Sequence, residues 1–365
     1  MIPLIDQREI VQYLINRQLI PESAVVNGCV EVNEVSRRNI NFKVVSQGGQ
    51  SYFVKQGVGT AGQMTAIQEA AAYRLLIRER EQSALTFIPE YYGYDASDGV
   101  LILELFAQAQ DVRQYHAAHR HFSIRLARAM GRALASLHGL QLDTTNARYS
   151  TAPWVLSLHH PRLSDLEEIS SANLELIQIV QGHIEFQDTF DYLRETTVLH
   201  SFIHGDAKWD NWLVLPPDSP RSVPSLRLVD WELSGFGDPG WDVGTALSDP
   251  LCAWVRSVPM ASDIPPADLL HWSRSPSRKV HPITSNLWQA YCKSSDLMSW
   301  EISDRLARCS AFAAVRVLQT AFEEMQQSTK LSSHVICLLQ MSLNIVRYPR
   351  EAMTELFGIP ISIGA

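Results

Sequence analysis

The chain reads as an α+β protein in which a small strand-rich lobe precedes a larger helical one. Three observations predict this. Up to Phe106 the sequence is built mainly of short segments rich in Val, Ile, Phe and Tyr, separated by turn residues. From Phe122 onward apolar residues recur at helical spacing over long stretches. At 365 residues and 46% hydrophobic, the chain is also too long for one compact core. Two domains are therefore expected, 1–106 and 107–365.

Asp6 to Gln18 is expected as a short opening helix. Ile10, Tyr13 and Leu14 share a face, Asp6 can act as N-cap, and Glu9 three residues on suits a capping box. Val25 to Val35, Ile40 to Ser46 and Ser51 to Lys55 follow as antiparallel strands, with Gln47-Gly48-Gly49-Gln50 as the turn between the last two. Gly57 to Gly62 is glycine-rich but has no Gly-Lys-Ser/Thr after it, so it reads as a flexible link and not as a phosphate-binding loop. Met64 to Arg80 is then a helix, and Phe87 to Tyr94 and Gly99 to Phe106 are strands flanking the Asp95-Ala96-Ser97-Asp98 turn. Helices are expected at Ser123–His138, Asp165–Gln181, Phe186–Leu199, Trp241–Val255, Glu301–Gln326 and Ser332–Val346. The proline-rich stretch 257–282, with its basic run Arg274 to Lys279, reads as a loop or insertion.

Charge and composition exclude several classes. A net charge of -8, with an isoelectric point near 5.8, argues against a nucleic-acid binder and is compatible with a cationic acceptor. No run of about 18 apolar residues occurs, and the first residues lack the form of a secretory signal, so no membrane association is expected and the reading is cytoplasmic. The five cysteines are scattered without CxxC spacing, which suggests neither a disulfide framework nor a zinc site.

The chemistry concentrates in Ile203-His204-Gly205-Asp206-Ala207-Lys208-Trp209-Asp210-Asn211 and in Leu228-Val229-Asp230-Trp231-Glu232. A phosphoryl transfer needs a carboxylate beside the attacking hydroxyl, a basic group near the moving phosphate, and oxygen ligands for a magnesium ion. Asp206, Lys208, Asn211 and Asp230 supply that set. Gly205 permits an unusual turn that presents Asp206, and His204 is expected as a buried framework residue. Glu232, two residues after Asp230 on a strand-like segment, can point the same way as a second metal ligand; an outward-facing acid is the alternative. Lys55 ends the third strand. Glu69, Ala72, Tyr73 and Leu76 form one stripe of the next helix, so Glu69 faces inward and Lys55 is its natural partner. Asp242, after the glycine-rich Gly235–Gly240 stretch, is expected to hydrogen-bond the catalytic loop.

In that order the residues Lys55, Glu69, His204-Gly205-Asp206 with Asn211, Asp230-Trp231-Glu232, then Gly237-Asp238-Pro239 and Trp241-Asp242, resemble the aminoglycoside phosphotransferase and choline kinase-like family over about Val25 to Val255. The resemblance implies a two-lobed protein-kinase-like fold and an ATP- and Mg²⁺-dependent kinase. It implies that Asp206 serves the acceptor hydroxyl, that Asn211 and Asp230 bind Mg²⁺, and that Lys55 with Glu69 holds the phosphates. It also implies that Glu104, Leu105 and Phe106 form the adenine hinge, and that Ser36 and Asn39 serve in the glycine-free loop Glu34–Asn41.

The acceptor stays open. A hydroxyl-bearing small molecule, alcohol or aminoglycoside-like, is one class. A peptide Ser or Thr, such as a ribosomally made precursor, is another, since Lys208 two residues after Asp206 is similar to protein kinases. A non-catalytic nucleotide-binding partner protein is the third, and the full set of site residues counts against it. Asp165, Glu167, Glu168, Asp188 and Asp191 fall on helices that in the resembled family flank the acceptor cleft. His116, His119 and His121 match no zinc spacing and read as a solvated loop, and Trp209, Trp212, Trp231 and Trp241 as core beside the motifs.

Overall fold

Strand alternation sets the first sheet. In β2 (Ile40–Ser46) Phe42 and Val44 are buried, and in β3 (Tyr52–Gln56) Tyr52 and Val54 are buried; these side chains meet Ile10 and Leu14 of α1 (Glu9–Asn16) in one apolar cluster. In the computed structural model the described residues are 4–36, 39–80, 85–142, 152–162, 169–197, 199, 201–216, 225–258 and 279–360. The basic run up to Arg278 and the acids Asp165, Glu167 and Glu168 lie outside them, as does 259–278 of the expected insertion. The chain divides into two units, Met1–Val112 with Asp210–Ser234, and Arg113–Trp209 with Gly235–Ala365.

The first unit is built on a five-stranded antiparallel sheet. Its order is β1-β2-β3-β5-β4, with β1 Val30–Glu34, β4 Tyr91–Asp95 and β5 Val100–Glu104. Asp6 closes the expected capping box: its carboxylate accepts from Arg8 N and Glu9 N, and Glu9 accepts from Asp6 N. A second sheet joins β6 (Gln110–Asp111), β8 (Trp212–Val214) and β9 (Leu226–Leu228).

Three expectations are corrected here. Val25 lies in a short helix, α2 (Glu22–Val26), and the strand begins only at Val30, because Gly28 at φ 69° ends the helix in a left-handed turn. Helix α3 spans Gly59–Arg80, so Gly59 to Gly62 form its first turn and not a free link. The Asn39 carboxamide accepts from Val58 N at 3.3 Å at that start, and tertiary contacts outweigh glycine's low helix propensity. Phe87 to Glu90 is not strand, because Pro89 cannot donate to a ladder.

The second unit is helical around a two-stranded ribbon of β7 (Ser201–Ile203) and β10 (Gly235–Gly237). Its helices include α4 (Val112–His119), α5 (Ile124–His138), α6 (Ser171–Gln181), α7 (Ile184–Glu195), α8 (Pro239–Arg256), α9 (His281–Ser294), α10 (Glu301–Glu324), α11 (Ser333–Arg347) and α12 (Pro349–Glu355). The expected histidine loop is helix in part: His116 and His119 lie in α4, and His116 is buried. No helix among the described residues is long and apolar enough to cross a membrane.

Helices α5 and α9 approach each other at Gly131, where a Cβ would stand 2.3 Å from the Leu287 carbonyl oxygen. Gly to Ala within a helix ordinarily stabilises by roughly 1 kcal/mol. Here the sign reverses: Gly131→Ala is expected to lower stability by about 2 kcal/mol through overpacking, read as a lower urea midpoint at unchanged slope. A stabilised variant would contradict the close approach.

Candidate active site

Lys55 sits on β3 with 6% of its surface exposed, too buried to rely on water for its charge. Its ammonium donates to Glu69 Oε2 at 2.8 Å, Asp230 Oδ1 at 3.1 Å and Glu232 Oε2 at 2.8 Å. Glu69 comes from the inward stripe of α3, and its other oxygen accepts from Trp231 N at 3.3 Å. Burial by itself would lower the Lys55 pKa, but the three carboxylates outweigh it and hold the ammonium above its ordinary value. Burial pushes the Glu69 carboxyl up, against the pull of Lys55.

The carboxylates converge because of an unusual backbone. Strand β9 ends at Leu228, and Asp230 adopts a left-handed conformation at φ 67° and ψ 61° before a 3-10 turn at Trp231–Leu233. Glu232 thus reaches Lys55 through that turn, not through strand alternation as the spacing suggested. Trp231 is fully buried, its indole donating to Leu228 O at 2.9 Å, and Gln68 of α3 donates to Ser234 O at 2.8 Å, so both ends of the turn are pinned. The left-handed residue costs on the order of 1–3 kcal/mol and is held by these contacts.

Ligand oxygens of Glu69, Asp230 and Glu232 lie within 4.8 Å of one another. Three carboxylates against one ammonium leave a surplus of negative charge, and hard oxygen donors of this kind suit a Mg²⁺ ion. Asn211 closes a 3-10 turn at Trp209–Asn211, and its carbonyl accepts from Val229 N at 3.0 Å, which fixes it beside the residue preceding Asp230. Lys55, Glu69, Asn211 and Asp230 line a cavity of about 410 Å³ with Val35, Phe53, Leu103, Leu105, Phe106, Leu213 and Val229 as apolar walls. That volume and lining fit a small-molecule site.

Glu104, Leu105 and Phe106 line the same cavity. The Glu104 amide already donates to Glu90 O and the Leu105 amide to Ser51 O, so a bound base would have to use other groups of this segment. Ser36 Oγ accepts from Asn41 N at 3.1 Å, shaping the loop between β1 and β2, while the Asn39 side chain is turned to the start of α3.

In the second unit Asp206 stands on a loop held by α8. Asp242 Oδ2 accepts from His204 N at 2.7 Å and Oδ1 from Gly205 N at 2.9 Å, and the Trp241 indole donates to Gly205 O at 2.7 Å. Gly205 takes φ 82°, a turn that a side chain would strain. His204 is fully buried, and its Nδ1 accepts from Asp206 N at 3.2 Å. His138 of α5 meets Asp242 Oδ2 at 3.2 Å.

Asp206 lies between two cations, Lys208 Nζ 2.6 Å from its Oδ2 and Arg316 Nη2 3.8 Å from its Oδ1. Burial would lower the Lys208 pKa, but the Asp206 carboxylate beside it prevails and raises it. Arg316 is 2% exposed and also donates to Glu323 at 2.9 Å. Sequence reasoning missed Arg316, Glu323 and Asp249. A lone arginine in the apolar run Ala313-Ala314-Val315-Arg316-Val317-Leu318 was the available signal for the first, and the seven-residue spacing from Asp242 for the last. Asp249 Oδ2 accepts from Trp209 N at 2.6 Å.

A sheet lysine, Lys55, paired with Glu69 of the next helix, a buried aspartate holding the loop of Asp206, and an Asp-Trp-Glu turn belong to a protein-kinase-like α+β fold. The model of the phosphotransferase enzyme family matches residues 31–292, and the chain belongs to that family. The chain is 26% identical over 136 residues to the rat choline/ethanolamine kinase, a stretch covering 36% of this chain and 31% of that one, so it spans about a third of the curated relatives it matches. Among solved structures it is similar to a choline kinase from Cryptosporidium parvum, with TM-score 0.56, 11% identity, and 95% and 96% of the two chains covered. It is also similar to an amicoumacin kinase solved in complex with AMP-PNP, Ca²⁺ and Ami, with TM-score 0.52, 14% identity, and 94% and 97% covered.

Two outcomes are expected. Lys55→Met leaves three carboxylates without their ammonium and should cost about 3 kcal/mol in denaturant, part of it regained on adding Mg²⁺. Asp242→Ala leaves two buried amides without acceptors and should cost about 3 kcal/mol, whereas Asp242→Asn, which keeps one acceptor, should cost less. Equal stability of the two Asp242 variants would contradict the loop anchoring.

Proposed function

We propose that the protein is a small-molecule phosphotransferase that moves the γ-phosphate of ATP to a hydroxyl acceptor in a Mg²⁺-dependent reaction. The observation that carries this is the Lys55 ammonium ringed by Glu69, Asp230 and Glu232 on the wall of a nucleotide-sized cavity. Residues 1–106 serve as the nucleotide-clamping lobe and 107–365 as the catalytic and acceptor-binding lobe. Lys55, oriented by Glu69, holds the α- and β-phosphates. Asn211, Asp230 and Glu232 hold Mg²⁺, which neutralises charge on the triphosphate when bound. The apolar walls with Glu104, Leu105 and Phe106 take the adenine, and Ser36 and Asn39 shape the loop above the phosphates.

Asp206 orients the acceptor hydroxyl and takes up its proton as the new O–P bond forms. Lys208 and Arg316 flank that carboxylate and hold it in place, and Lys208 is assigned the balancing of charge on the transferred phosphoryl group. Membership of the family and the similarity to kinases of choline and amicoumacin support a small hydroxyl-bearing acceptor. The Lys208–Asp206 contact keeps a peptide Ser or Thr acceptor as the second reading.

An ADP-release assay over choline-like amines, aminoglycosides, sugars and Ser/Thr peptides tests both. Asp206→Asn is expected to bind Mg-ATP as the wild type does and to lose roughly a hundredfold or more in turnover. Asp230→Asn is expected to lose metal-dependent nucleotide binding itself. Turnover unchanged by Asp206→Asn on every active acceptor rules the reading out, and phosphate on a peptide hydroxyl alone selects the second.

A further inference from the structure

A second cavity, of about 700 Å³, opens in the helical unit and is lined by Arg113, Arg120, Arg256 and Lys279 together with His116 and Trp209. Among the described residues no carboxylate lines it. In a chain with 39 acids and 31 Lys and Arg, four cations around one hollow run against the average charge. We propose that this cavity is a binding site for a small polyanion, a molecule carrying several phosphate or carboxylate groups.

The cations differ in how they are paired. Arg113 faces Asp249 at 3.8 Å, and Arg256 pairs with Glu324 through Nε at 2.6 Å, while its Nη1 is buried without a hydrogen-bond partner. Among the described residues Arg120 and Lys279 take part in no ion pair. Arg120 also holds a left-handed backbone at φ 55°, between the end of α4 and the cap Ser123 of α5. Such a conformation in a residue other than glycine persists only where its surroundings hold it. Guanidinium forks arranged in this way match phosphate and carboxylate oxygens.

His116 also lines the wall. Its Nε2 accepts from Ser123 N at 3.2 Å, so its Nδ1 carries the proton, and that atom is buried without a partner. The residue is only 5% exposed, and burial lowers its pKa to about 4, so at neutral pH it does not repel the arginines. The Trp209 ring lies edge-on to His116 at 4.6 Å and to Phe122 at 5.2 Å. The concave shape and size fit a small molecule; a nucleic acid is disfavoured by the chain's net charge of -8.

An anion here would compete with Asp249 for Arg113, and the same Asp249 holds the amide of Trp209, three residues after Asp206. Occupancy would therefore alter turnover, a consequence that rests on the phosphotransferase reading, whereas binding itself does not.

Calorimetric titration of the full chain with tripolyphosphate and with citrate, without divalent metal, tests the site. The expected result is one-to-one binding by at least one of them, weakened by added salt, unaffected by Asp230→Asn and not displaced by AMP-PNP. Arg120→Gln and Lys279→Gln, both at exposed positions, should each weaken it about tenfold, the size of one charge-assisted contact, at wild-type melting temperature. Tripolyphosphate alone identifies a phosphate ligand, and citrate alone a carboxylate one. Absence of binding by both, affinity unchanged in both variants, or loss of binding in Asp230→Asn would overturn the proposal. If Asp206→Asn left turnover intact while the anion still bound, the phosphotransferase reading would fail and this site would stand.

Discussion

The buried Lys55 ammonium is the interaction on which the first unit depends. A charge at 6% exposure is tolerated only with partners in place, and here three carboxylates from two distant stretches of chain supply them. Glu69 arrives on α3, and Asp230 and Glu232 arrive on the segment that returns to this unit after residue 209. The ammonium thus joins the sheet, the helix and the returning turn. It also leaves the cluster with more negative than positive charge, the condition under which a hard divalent cation and a phosphate tail can be accommodated together.

The second unit solves a different problem, the presentation of a single carboxylate. Asp206 projects from a loop too short to hold itself, and the loop's amides are satisfied from α8 by Asp242 and Asp249, two turns of helix apart. The carboxylate is then flanked by Lys208 from its own loop and Arg316 from α10. Fixed acceptors buried behind the loop and fixed cations around its tip keep the geometry without help from solvent.

Charge is distributed unevenly through a chain that is acidic on the whole. Carboxylates outnumber cations at the Lys55 cluster, while Arg113, Arg120, Arg256 and Lys279 gather around the cavity beside Trp209. An anion at the first would need a divalent cation beside it, whereas at the second the side chains themselves carry the opposing charge, which is why they are assigned different chemistries.

Spacing and residue type alone determined the strand-rich start and the helical remainder, the partnership of Lys55 with Glu69, and the hold of Asp242 on the loop of Asp206. Each follows from a local pattern: an alternation, a helical stripe, or a carboxylate next to a glycine-rich helix start. Other features were decided by contacts between residues far apart in the chain. Glycine-rich Gly59–Gly62 became helix because its surroundings hold it there, and Glu232 reached Lys55 through a left-handed Asp230 that no periodicity encodes. Arg316 came to Asp206 from more than a hundred residues away, and the amides of Glu104 and Leu105 were taken by the carbonyls of Glu90 and Ser51, each just before a neighbouring strand. The physical reason is the same in each case. Period and propensity are properties of neighbours along the chain, whereas burial, pairing and backbone strain are settled only when distant segments compete for the same space.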